Sequence, residues 1–99
     1  MDNNSNNIRI EFDEANNQSL AFVNDVNVGE CEFTVENGNK WYIIHTGVRP
    51  EYGGQGIAKM LVLRVIEEAR KKSARIVPIC SYAQKMMLDK EEYKDVLYQ

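Results

Sequence analysis

Gly53-Gly54-Gln55-Gly56-Ile57-Ala58 stands where a strand-like pattern gives way to a helical one. The N–H groups in the first turn of a helix have no internal partner and carry partial positive charge. Glycines clear away the side chains that would hold a ligand off those groups. The combination suits a phosphate or pyrophosphate. The same residues also read as a plain glycine-rich turn into a helix. No Gly-Lys-Ser/Thr follows, so this is not a Walker loop. A dinucleotide fingerprint needs a parallel βαβ unit, and the strands before this turn read as antiparallel.

Two side chains nearby can do chemistry. Cys80 closes an apolar run, Ile76-Val77-Pro78-Ile79-Cys80, directly before a helix start at Ser81. A thiol there is placed to act as a nucleophile, and it equally reads as a small apolar residue. His45 is suited to take a proton from an ammonium substrate near neutral pH, or to serve as a structural histidine hydrogen-bonded in the sheet. Period-two alternation puts it on one strand face with Trp41 and Ile43. Lys59, Arg64 and Lys85 can reach a nucleotide phosphate, and Tyr82 and Tyr93 are candidate proton donors. Cys31 reads as core. With one histidine and two cysteines, the chain has too few ligands for a zinc site, and no metal is expected.

The elements that position these groups follow from periodicity. Ile8 to Phe12 alternates apolar and charged residues, as a half-buried strand does. Leu20-Ala21-Phe22-Val23, Cys31 to Val35 and Trp41 to Val48 give three more strands. Asn16-Asn17 and Asn24-Asp25 mark turns, and Asn37-Gly38 is a strong hairpin signal. From Ile57 to Lys72 the apolar positions Ile57, Leu61, Val65 and Ala69, with Ala58, Val62 and Ile66 beside them, predict an amphipathic helix. Ile76 to Cys80 predicts a fifth strand whose proline denies one edge a full ladder. Ser81-Tyr82-Ala83-Gln84 has capping-box spacing and predicts a helix starting at once. A last short helix is expected over 91–97.

Ninety-nine residues hold one domain, expected over 8–99 behind a short Asn-rich leader at 1–7 that reads as disordered. The net charge of −3 argues against nucleic acid as the main partner, which needs a concentrated basic surface, and permits a cationic amine. No apolar run is long enough for a membrane helix. Two widely separated cysteines suggest free thiols and a cytoplasmic protein.

From His45 to Cys80 the sequence resembles the GNAT superfamily of N-acetyltransferases. His45-Thr46-Gly47-Val48-Arg49-Pro50-Glu51-Tyr52, followed by Gly53 to Ala58, looks like its motif A. More narrowly the chain is similar to minimal single-domain GNAT-like proteins of this length. Those share a His-Thr-x-Val strand, a Gly-x-Gly-Ile-Gly/Ala turn, a strand ending in Cys, and a Tyr-x-Asp-Val/Leu ending that Tyr93-Lys94-Asp95-Val96 matches. The resemblance implies a three-layer α+β fold. Its five-stranded sheet would be mostly antiparallel, with one long central helix, two short C-terminal helices, and the last two strands splayed.

It also implies acetyl-CoA as the bound group. The family turn reads Arg/Gln-x-x-Gly-x-Gly/Ala; Gly56 and Ala58 match it, and Gly53 departs at the first position. By analogy, Gly53, Gly54, Gln55, Gly56, Ile57 and Ala58 hold pyrophosphate. Thr46, Gly47 and Val48 pair with the pantetheine arm, with Ser81 opposite, and a backbone N–H near Val48 faces the thioester carbonyl. Cys80 and His45 are the implied catalytic residues. The implied reaction is acetyl transfer to a small amine, a protein lysine or an N-terminus in a ternary complex, by a monomer or weak homodimer. A module that holds CoA and a protein partner without turnover is the alternative.

Overall fold

The structure is a computed structural model and describes residues 7–99, so the expected leader falls, but for Asn7, outside the described residues. Strands β1 (Ile8–Asp13), β2 (Gln18–Val23), β3 (Val26–Glu36) and β4 (Lys40–Val48) form an antiparallel meander. Helix α1 (Ile57–Lys71) crosses to β5 (Arg75–Pro78), which pairs with β4 in parallel and completes a five-stranded sheet in the order of the chain. Helix α2 (Ser81–Met87) and a single 3₁₀ turn (Glu91–Tyr93) follow.

The turns obey the expected chemistry. Asn24 and Asp25 carry φ of 51° and 67°, and Asn37 and Gly38 carry 56° and 78°. Positive φ at both central residues matches the twist of a hairpin, which is why Asn, Asp and Gly occupy them. Helix α1 buries Ile57, Leu61, Val62, Val65, Ile66 and Ala69, the predicted stripe except Ala58. They pack on Ala21, Val23, Cys31, Phe33, Trp41, Ile43 and Ile76, with Ala83 and Met87 of α2 in the same core. Ser19 is fully buried and donates to the Leu61 carbonyl at 2.8 Å, which joins β2 to the middle of α1. Both helices therefore lie on one side of the sheet. On the other side Phe22, Glu30, Glu32, Thr34 and His45 are half-buried or exposed.

Three expectations need correction. The helix expected over 91–97 is one turn, because Ile76 takes its edge partners there: its N–H donates to the Val96 carbonyl and its carbonyl accepts from Tyr98. The capping box at Ser81 does not form. Cys80 is the cap residue and its sulfur accepts from the Ala83 N–H at 3.4 Å, while Gln84 turns back to the Pro78 carbonyl. Third, His45 does not share a face with Trp41 and Ile43. Glu32 pairs with His45 and Phe33 with Ile43, so Ile44 is an extra residue in β4, a β-bulge. The extra residue resets the alternation, placing Thr46 with the core side and His45 on the open side. No helix among the described residues is long and apolar enough to cross a membrane.

Candidate active site

The parallel seam between β4 and β5 runs from Lys40 and Arg75 to Ile43 and Pro78. The Ile43 carbonyl closes it by accepting from both Ile79 N and Cys80 N, at 2.9 and 3.0 Å. Beyond that point β4 continues to Val48 while the chain after Pro78 turns into α2, so the two part as the resemblance implied. The Arg49 N–H donates to the Val28 carbonyl, so Arg49 faces β3. By alternation the backbones of His45 and Gly47 face β3 as well, leaving those of Thr46 and Val48 toward the gap.

The glycine turn stands at the mouth of this gap. Gly53 N is bonded to Pro50 O, and the next bonded amide is Met60 N, to Gly56 O. Between them the N–H groups of Gly54, Gln55, Gly56, Ile57, Ala58 and Lys59 meet no acceptor among the described residues. Gly54 and Gly56 hold φ of 80° and 78°, and a Cβ on either would point into open space. A cavity of about 210 Å³ collects the loop, Val48, Tyr52, Lys59 and Tyr82 of α2. Burial pushes the Tyr82 phenol up, with a further push from Tyr93, so it keeps its proton at neutral pH. Through Lys59 and Tyr82 this cavity adjoins a second of about 460 Å³, where Lys85 and Lys90 also line the wall. Arg64 is not available there, being held by Glu68 and the Ile10 carbonyl.

At the foot of the gap the Thr46 hydroxyl lies 3.5 Å from the Cys80 sulfur and donates to Cys31 at 3.6 Å. Burial pushes the Cys31 thiol up to about 12, so it is an inert member of the core. Cys80 is half-buried. His45 is separate from this cluster, its Nε2 bonded to Glu30 at 2.8 Å on the open face. Gly47 points to that face too, where a Cβ would meet the His45 ring. Ser81 opens α2 beside Cys80. Sequence reasoning paired His45 with the wrong strand face and missed Glu30, whose partnership depends on strand register.

A family model described as GCN5-related N-acetyl-transferase matches residues 13–96. The chain belongs to this family. A GCN5-like protein from Staphylococcus aureus, solved by NMR, is 32% identical, with 93% of this chain and 89% of that one covered and a TM-score of 0.72. A GNAT family acetyltransferase from Elizabethkingia anophelis with acetyl-CoA bound is 24% identical over 62% of this chain and 40% of its own, at a TM-score of 0.56. Naa50 from Arabidopsis thaliana, in complex with the bisubstrate analogue CoA-Ac-MVNAL, is 28% identical over 64% and 45%, at 0.52. The chain thus spans less than half the length of these last two. No curated protein matches it. As a GCN5-related N-acetyltransferase the chain is an acyltransferase by family.

Proposed function

We propose that this protein transfers an acetyl group from acetyl-CoA to a primary amine by direct attack in a ternary complex. The run of unaccepted N–H groups from Gly54 to Lys59 carries this reading, because so many free donors beside an open cavity suit a diphosphate. The glycines fit that group, since nothing at Gly54 or Gly56 stands in its way. Gly53 lacks the side chain of the family pattern, and Lys59, Lys85 and Lys90 supply positive charge across the adjoining cavity.

The bound donor supplies the activated acetyl group. Thr46 and Val48 present backbone groups toward its arm, and the N–H near Val48 is placed to stabilise negative charge on the thioester oxygen. Tyr82 holds a proton for the departing thiolate. Cys80, beside Thr46, either lines the thioester pocket or takes the acetyl group before the amine does. His45 takes the proton from the amine. Much of the rate would come from holding the two reactants together. Free thiols favour a cytoplasmic location, and the acceptor is a small amine, a protein lysine or an N-terminus.

Calorimetry with acetyl-CoA tests the first step, and no binding at millimolar concentration ends the proposal. Free-thiol release with a panel of amines and peptides tests the second. Binding without release would make the protein a CoA-holding module. Full transfer by Cys80→Ala would remove the covalent role of that thiol.

A further inference from the structure

The open face of the sheet carries a pair that the donor site does not use. His45 Nε2 and Glu30 Oε2 stand 2.8 Å apart, with the His45 side chain half exposed and that of Glu30 less so. Glu30 belongs to β3 and lies opposite Gly47, two residues beyond His45 on β4. A Cβ built at Gly47 would lie 2.9 Å from His45 Nε2 and 3.0 Å from Glu30 Oε2. The first is closer than real Cβ atoms come and the second is tight, so a side chain at 47 would displace the ends of these two flexible side chains from their present contact. The glycine there is not needed for backbone conformation, since its φ is not positive. Its use is the space it leaves.

The pair decides which ring nitrogen can work. A carboxylate only accepts, so a neutral imidazole bonded to it through Nε2 carries its hydrogen on Nε2. The lone pair is then on Nδ1. Beside the pair is a cavity of about 280 Å³ lined by Asn27, Val28, Glu30, Gly47, Val48 and Arg49 together with His45. The charged groups around the ring are Glu30 and Glu32 on β3 and Arg49 at the end of β4. Val48 lines both this cavity and the glycine-loop cavity.

We propose that Glu30 is a positioning residue that fixes His45 with its hydrogen on Nε2 and its Nδ1 free to take a proton from an amine arriving on the open face, and that position 47 is glycine so that this pair can form. The inference rests on acetyl transfer as the activity. The amine nitrogen loses its proton to Nδ1 as it bonds to the acetyl carbon, and the sulfur of CoA leaves as the thiolate.

His45 is the only histidine, so nitrogen-resolved NMR of ¹⁵N-histidine-labelled protein reads its tautomer without ambiguity and without acetyl-CoA. The parent should show Nε2 protonated in the neutral ring. Gly47→Ala and Glu30→Ala should each move the ring toward a mixture of tautomers. Glu30→Gln, which keeps an acceptor oxygen, should retain the parent form. In thiol-release assays the two alanine variants should lose about tenfold in kcat/KM for the amine, less than the 10²–10⁴ lost with a general base, and in Glu30→Ala the calorimetric affinity for acetyl-CoA should not change. Gly47→Ala is the more telling variant, because it removes neither partner and its Cβ meets only side-chain atoms. A parent ring protonated on Nδ1, or alanine variants with an unmoved tautomer, overturns the proposal. A protein that binds no acetyl-CoA overturns the transfer reading and leaves the NMR result standing.

Discussion

Replacing Gly56 with alanine separates the strain of the glycine turn from its use as a ligand socket. Gly56 caps α1 at φ 78° and ψ 15°, and a Cβ there would touch nothing within 4 Å. The substitution therefore meets no clash in the free protein and costs only the left-handed backbone, about 1–2 kcal/mol for an L-residue. In a domain of this size a loss of about 1 kcal/mol lowers Tm by roughly 4–8 °C. Gly38, in the β3–β4 hairpin, has the same φ of 78° and the same open space, so Gly38→Ala is a matched control far from the cavity. Both variants should lose the same few degrees, read from the fluorescence of the buried Trp41, whose ring stacks 4.3 Å from that of Phe33. Only Gly56→Ala should weaken acetyl-CoA binding in calorimetry. Displacing a phosphate from one backbone N–H removes a hydrogen bond to a charged group, about 1.5–3 kcal/mol, which is roughly ten- to a hundredfold in Kd. Equal affinity in the two variants would refute the socket argument, and an unchanged Tm in either would refute the backbone argument.

Iodoacetamide at pH 8 should label Cys80 and spare Cys31 in the folded protein, because burial holds the Cys31 thiol up at about 12; peptide mass spectrometry checks this, and labelling of both at equal rates would contradict it. Arg70 grips Asp95 through two bonds of 2.9 Å and takes the Glu92 carbonyl as well, tying the C-terminal segment to α1. The hydrogen bond from Arg70 holds the Asp95 carboxyl below its ordinary value. A carboxyl lowered in the folded state stabilises above its unfolded value and loses that contribution as pH falls through the folded one. Thermal unfolding of Asp95→Asn should therefore depend less on pH than that of the parent below about pH 4; parallel curves would show that the pair contributes nothing.

Much of the architecture was legible because local chemistry and tertiary structure agree. Asn37-Gly38 made the hairpin it announced, and the stripe from Ile57 to Ala69 became the buried side of α1. The glycine turn was found from residue type alone, since open N–H groups follow from glycine before a helix. What remained hidden depends on pairing between distant segments. Ile43 and Ile44 are both apolar, so no sequence signal says which of them is the odd residue; Phe33 and Glu32 on the neighbouring strand decide it. Glu30 and His45 are joined by the same register. Ser81 had the right spacing for a cap, yet the Cys80 sulfur took the Ala83 amide and Gln84 went to Pro78. The ending from Tyr93 to Leu97 was drawn out of helical form by the free edge of Ile76.

Two consecutive residues of β4 serve two compartments. With Ile44 in place, Thr46 looks toward the cysteines and its neighbour His45 toward solvent. Were Ile44 deleted, Glu32 would still face His45 and Cys31 would still face Thr46, so the bulge would vanish and both side chains would keep their faces. The division of labour across this thin sheet is therefore set by the pairing with β3, around which the bulge at Ile44 is absorbed, rather than by any reactive side chain.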